Sequence, residues 1–216
     1  MPAVDAAKLM VKIAGGVAAA HQSNLIDRDL RPANILLDES GNAKVDDFGL
    51  ARVLFAGPAD QTSMANFIGT PSYVSPEQAR GDQDQIGQPS DVYSLGVILY
   101  EMLTGKPPFQ AATAWEIVSD ILNEDASPVR QLNRRVPVDL ETICHRCLER
   151  SPPRRYAGAE QLRDDLQRFL DGKPIRAKRT PVPRRVGKWL RRNPIPSIAA
   201  GVIALALLSI SVISFR

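Results

Sequence analysis

The residues best suited to chemistry fall between Leu25 and Leu50, LIDRDLRPANILLDESGNAKVDDFGL. Asp29 is followed five residues later by Asn34, and a further carboxylate, Asp47, opens the triplet Asp47-Phe48-Gly49. A lone carboxylate is suited to accepting a proton. An amide oxygen beside a second carboxylate is the kind of ligand pair that a hard divalent cation on a phosphate chain takes. The apolar run Ile35-Leu36-Leu37, the turn formers from Asp38 to Asn42 and the run Ala43-Lys44-Val45 predict a hairpin with Gly41-Asn42 at its tip. Such a hairpin brings Asn34 and Asp47 together at its open end, with Asp29 beside them.

Several helices must hold this stretch. Ala3 to His21 has Val4, Leu9, Ile13, Val17 and Ala20 at spacings of three to five, which predicts a helix. Gly15-Gly16 weakens it by about 1 kcal/mol per glycine relative to alanine, and marks a place of close packing. Ser90 to Gly105 is the strongest helix, with Ser90 as N-cap and Gly105 as its stop. It is apolar on nearly every face, yet at about 16 residues with Asp91 and Glu101 it is too short and too charged to span a bilayer. It therefore reads as a central strut. Thr113 to Leu122 opens with a capping box, Thr113 and Glu116. Val138 to Leu148 and Ala159 to Leu170 read as amphipathic helices, the last ended by Gly172. Arg52 to Asn66 has turn formers and little periodicity and reads as a loop.

The formal net charge of +3 hides a split. Ten of the 27 basic residues lie beyond Gly172 and none of the 24 acidic ones does, so residues 1–172 carry about −7. Lys173 to Asn193 is basic and rich in proline. Nucleic-acid binding is one reading of such a run, since a basic cluster attracts phosphate. The next segment argues against it: Ile195 to Phe215 is 21 residues without a charge, long enough to cross a hydrocarbon core of about 30 Å. The basic residues before the span place that side in the cytoplasm and suit anionic lipid. Met1 to Ala20 has Asp5, Lys8 and Lys12 and no continuous apolar core, so no signal peptide is read there. Cys144 and Cys147 form a solitary C-x-x-C, and two small residues on one buried helix face is a better account of it than zinc or redox chemistry.

The stretch Asp27-Arg28-Asp29-Leu30, Asn34, then Asp47-Phe48-Gly49 resembles the H-R-D-L-x-x-x-N catalytic loop and D-F-G magnesium loop of protein kinases. Two positions depart from it: Asp27 stands for His, and Arg31 for the usual Lys. Gly69-Thr70-Pro71-Ser72-Tyr73 and Ser75-Pro76-Glu77 resemble the substrate-positioning loop and A-P-E signature, with Ser75 for Ala; the form leans to serine/threonine kinases. The implied fold is mainly α, the large C-terminal kinase lobe with a short catalytic-loop β-hairpin, followed by a C-terminal transmembrane helix. The implied activity is transfer of the γ-phosphate of ATP to Ser or Thr hydroxyls of a protein substrate. The resemblance makes Asp29 the base, Arg31 the cation on the γ-phosphate and Thr70 a partner of Asp29. Asn34 and Asp47 hold Mg2+, with Mn2+ an alternative. Phe48 and Gly49 shape the metal loop, Glu77 pairs with Arg155, and Asp91 holds the catalytic-loop backbone. Arg28 receives a phosphate on the Arg52–Asn66 segment, where Thr62 and Ser63 are the candidate acceptors. Asp27 in place of His implies reduced turnover.

The resemblance covers residues 1–172, the C-terminal two-thirds of a kinase domain. The glycine-rich loop, its strand lysine and its partner glutamate do not occur in the sequence. The 216-residue chain alone is therefore expected to bind Mg-ATP weakly and to transfer phosphate poorly. Two accounts stand: Met1 is a misassigned start or fragment boundary of an ordinary kinase, or the chain is a half-kinase acting as a membrane-tethered binding module. By resemblance to bacterial membrane-anchored kinases, the expectation is a single-pass cell-membrane protein, with the lobe at 1–172 cytoplasmic, a basic linker at 173–194 and the span at 195–215. A homodimer is compatible with it, and nucleic acid is not an expected partner.

Overall fold

Twenty residues, Ala3–Gln22, form α1, the helix that precedes the chemical stretch. The computed structural model describes residues 1–38, 43–45 and 71–178, which belong to a compact unit, Met1–Lys178. The buried stripe of α1 is Ala6, Ala7, Met10, Ile13, Ala14, Val17, Ala18 and His21. Val4, expected on that stripe, is 48% exposed. The stripe is carried by alanines, whose small side chains let α1 lie close to its neighbours. Gly15 and Gly16 are not demanded by packing. A Cβ on Gly15 would be 3.9 Å from Arg163 Cδ, and one on Gly16 would be 3.8 Å from the Ala43 carbonyl, both ordinary contacts.

After α1 the chain makes a short 3-10 turn, Pro32–Asn34, and a two-stranded antiparallel sheet. Strands β1 (Ile35–Leu37) and β2 (Ala43–Val45) pair with Ile35 opposite Val45 and Leu37 opposite Ala43. The pair lies against α1, and its register puts Asn34 at the open end. The expected tip, Gly41-Asn42, lies outside the described residues.

Helix α2 (Pro76–Arg80) leads to α3 (Gln88–Thr104), the central strut. It begins three residues earlier than expected, with Gly87 and not Ser90 as its N-cap. Gly87 caps it, Pro89 fits the first turn, and Ser90 sits inside that turn, its Oγ accepting the Gly87 N–H at 3.1 Å. Gly105, at φ 84°, stops it in the left-handed region that favours glycine. Val92, Leu95, Val97 and Leu99 are fully buried.

Helices α4 (Ala114–Asn123), α5 (Val129–Leu132), α6 (Val138–Cys147) and α7 (Ala159–Leu170) complete the lobe. The Thr113–Glu116 capping box opens α4: Glu116 N–H donates to Thr113 Oγ1 at 3.2 Å, and Thr113 N–H to Glu116 Oε2 at 3.3 Å. Helix α6 packs on α3 at Gly96, where a Cβ would come within 2.4 Å of the Cys147 Cβ, so only glycine fits. Cys144 and Cys147 are fully buried, and Cys144 Sγ donates to the Gly96 carbonyl at 3.6 Å. Burial pushes both thiols up, which keeps them protonated and inert. The C-x-x-C is thus a packing face. His145 points away from it; its Nε2 accepts the Val129 N–H at 3.4 Å.

The fold runs on past Gly172. Asp165 on α7 is fully buried, and its carboxylate accepts the Tyr156 hydroxyl at 2.7 Å and the Arg176 and Ala177 N–H groups at 2.5 and 2.8 Å. Arg168 Nε donates to the Pro174 carbonyl at 2.7 Å, and Ala177 enters the main core. Residues 173–178 are therefore strapped to the lobe. Among the described residues no helix is long and apolar enough to cross a membrane; the expected span, 195–215, lies outside them.

Candidate active site

The loop from Asp27 to Asn34 is held by bonds to parts of the chain far away in sequence. Leu30, 1% exposed, pegs it into the core. Asn34 Nδ2 donates to the Asp29 carbonyl at 3.0 Å and to Asp29 Oδ2 at 3.3 Å. That assigns the amide: its nitrogen faces Asp29 and its Oδ1 is left to accept or to ligate. Asp29 itself is exposed. One turn of polypeptide thus presents an open carboxylate and, tied to it, an amide oxygen suited to a hard cation. Asp47, the expected second ligand, lies outside the described residues, as do Phe48, Gly49, Thr62, Ser63 and Thr70.

Asp27 is fully buried where the resemblance expects His, and its Oδ1 accepts the Asp29 N–H at 3.0 Å. A short acidic side chain bonding the amide two residues on is a local turn that a larger ring would not make in the same way. Arg28 has φ 69°, a strained conformation for a residue with a Cβ, costing on the order of 1–3 kcal/mol. It is held there from two sides. Asp91, in the first turn of α3, accepts the Arg28 N–H on Oδ1 and the Asp27 N–H on Oδ2, each at 3.0 Å. Gln78 Nε2 donates to the Arg28 carbonyl at 2.7 Å. The Arg28 guanidinium forms no ion pair among the described residues. Arg31 is half-buried.

Behind Asp91 stands His21, 5% exposed at the end of α1. Its Nε2 lies 2.9 Å from Asp91 Oδ2, and its Nδ1 accepts the Ala159 N–H at 3.4 Å. A backbone N–H on Nδ1 leaves the ring proton on Nε2, donated to the carboxylate. His21 went unseen in the sequence. The available signal was its place four residues after Val17, on the buried stripe of α1.

Glu77 and Arg155 meet in a fully buried bidentate pair, Nη1 to Oε1 at 2.7 Å and Nη2 to Oε2 at 2.8 Å. Arg155 also donates to the Glu149, Pro89 and Arg150 carbonyls, and Ser90 Oγ donates to Glu77 Oε1 at 2.7 Å. Burial alone raises the Glu77 carboxyl, but the Arg155 bonds and charge, with Ser90, outweigh it and hold the group below its usual range. The arrangement joins α2, which follows the substrate-loop motif, to α3 and to the segment before α7. Tyr73 is fixed by Ser94 Oγ, which donates to its carbonyl at 2.8 Å, and by its own hydroxyl, which donates to Glu101 at 2.7 Å. Burial and then that bond push the Tyr73 phenol up, against the pull of Arg31.

Residues 1–166 match the protein kinase domain family. The chain is 39% identical over 177 residues to the serine/threonine-protein kinase PknB of Mycobacterium leprae, covering 82% of this chain and 28% of that one. It is 40% identical over 158 residues to PknB of Mycobacterium tuberculosis, covering 73% and 25%. It is 35% identical over 175 residues to the serine/threonine-protein kinase PrkC of Bacillus subtilis, covering 81% and 26%. The chain thus spans about a quarter of the length of these curated relatives.

Proposed function

This chain belongs to the protein kinase family, and from that premise we propose that it carries the catalytic loop of a serine/threonine kinase that moves the γ-phosphate of ATP to protein hydroxyls. The observation that carries the proposal is the bonded pair Asp29–Asn34 on a loop whose backbone is clamped by Asp91 and Gln78. A loop held this way presents its groups without reorganisation at the moment of reaction. Asp29 accepts the proton of the acceptor hydroxyl as its oxygen bonds to the γ-phosphorus, and the bond to the bridging oxygen breaks to release ADP. Arg31 faces the γ-phosphate oxygens. Asn34, through Oδ1, and, by the sequence motif, Asp47 would supply oxygen ligands of the kind Mg2+ takes, and the ion when bound would neutralise phosphate charge. Asp29→Asn in the gene's natural product is expected to lower phosphoryl transfer to a serine-rich acceptor, with Mg2+ and labelled ATP, by about 10²–10⁴-fold. A variant within threefold of wild type would remove Asp29 from the chemistry.

We also propose that residues 195–215 anchor the chain in a cell membrane, with the lobe on the side of the basic run and so in the cytoplasm. The support is the uncharged 21-residue length and the basic residues that precede it. The protein is expected to stay with membranes through alkaline carbonate washing. Release into the supernatant refutes the span.

A further inference from the structure

We propose that Gln78 is a positioning residue for Asp29, acting through the Arg28–Asp29 peptide and itself oriented by Ser75; the proposal deepens the kinase reading and rests on it. A capping-box glutamine at the third position of a helix normally reaches back to the N-cap N–H, and no more. Here the Gln78 Oε1 accepts that N–H from Ser75 at 3.1 Å and also the Ser75 hydroxyl at 2.8 Å. With Oε1 doubly engaged, Nε2 has one direction left, and it donates to the Arg28 carbonyl at 2.7 Å, 50 residues back in the chain. Both side chains are buried, Ser75 at 0% and Gln78 at 2% exposure, so water does not compete for these bonds.

The peptide that receives this bond sits immediately before the base. Its carbonyl belongs to Arg28 and its N–H to Asp29, which donates to Asp27 Oδ1 at 3.0 Å. The plane is thus pinned at both polar atoms, by Gln78 on one side and Asp27 on the other. It needs pinning, because Arg28 is in the left-handed region that its Cβ disfavours. Asp91 holds the preceding peptide and makes no bond to this one. The bond also gives Ser75 a purpose where the kinase signature has alanine: an alanine lacks the hydroxyl that fixes the amide. Because Gln78 follows Glu77, the same short helix that holds the Glu77–Arg155 pair carries the clamp on the loop.

The test compares wild type, Gln78→Glu and Ser75→Ala in the natural gene product. Glutamate keeps an acceptor for both Ser75 donors but has no proton for the Arg28 carbonyl. The expected result for Gln78→Glu is a fall in kcat of at least tenfold, with KM for ATP and acceptor within twofold. Amide exchange at Asp29 rises at least tenfold while Met10 and Leu95 amides in α1 and α3 keep their protection. Ser75→Ala, which only deletes a hydroxyl, shows the same pattern at about a third of the size, and decides the matter if the glutamate variant does not fold. Unchanged exchange at Asp29, or a loss of protection spread equally over α1 and α3, overturns the proposal. If the wild type transfers no phosphate at all, the kinase reading fails by itself, and exchange at Asp29 still decides the role of Gln78.

Discussion

Replacing Glu77 by alanine is expected to destabilise the lobe by about 3–5 kcal/mol, because it leaves the Arg155 guanidinium buried without its counter-charge. Both side chains are fully enclosed, so water does not replace the lost carboxylate. Three backbone carbonyls remain around Arg155, which satisfy three of its five N–H donors and none of its charge. Urea unfolding followed by circular dichroism measures the change as a lowered midpoint at constant slope. A loss below about 1 kcal/mol would show that the pair is merely tolerated. The wild-type protein carries the matching pH signature. The native Glu77 carboxyl titrates below its unfolded value of 4.5, so its contribution is complete above that value and disappears as the pH falls through the depressed native one. The acid limb of the stability profile is expected to flatten in Glu77→Ala.

Asp91→Asn is the second large expected effect, and it falls on activity as well as stability. The Asp91 carboxylate accepts from three groups: the Asp27 and Arg28 N–H bonds and the His21 ring. An asparagine offers one oxygen, and its amide hydrogens then face either the Arg28 N–H or the Asp27–His21 side. At 1% exposure nothing else satisfies the displaced donors. A hydrogen bond to a charged group contributes about 1.5–3 kcal/mol, so a loss of about 2–4 kcal/mol is expected. The strained Arg28 peptide relaxes when its N–H is released, and phosphoryl transfer is expected to drop by about 10²-fold as Asp29 loses its fixed position. Parallel kcat/KM and denaturation measurements distinguish the two effects. Transfer within threefold of wild type would mean that Asp91 supports the fold alone.

What was legible in the sequence follows the range of the interaction behind it. The Thr113–Glu116 box, the Gly105 stop and the two short strands depend on residues within a few positions of each other, and composition reveals them. The all-round burial of α3 reads directly from its apolar residues. The buried stripe of α1 departs from the periodicity of its large residues because the packing uses alanines to bring helices close. The start of α3 moved because Ser90 turned its hydroxyl toward Glu77, 13 residues earlier, a partner that local capping rules do not include. Asp29 and Asn34 stood out by type and spacing. His21 and Gln78 did not, since their partners lie 70 and 50 residues away; Ser75-x-x-Gln78 spells a capping box, but nothing local points its Nε2 to the Arg28 carbonyl.

The strap at Asp165 sets a length. With residues 195–215 as the proposed anchor, an unstrapped chain would leave the lobe on a leash of 22 residues, 173–194, with a maximum reach of about 75 Å. With Arg176 and Ala177 bonded to Asp165, residues 173–178 belong to the lobe, and only sixteen positions of sequence, 179–194, separate it from that proposed anchor, a contour of at most about 55 Å. The volume open to a tethered domain scales with the cube of its reach, so if that anchor holds, the strap would confine the lobe to about two-fifths of the space and would raise its effective concentration near the bilayer in proportion. Under that proposal a single buried carboxylate on the last helix would help decide which acceptors fall within range, without touching any of them.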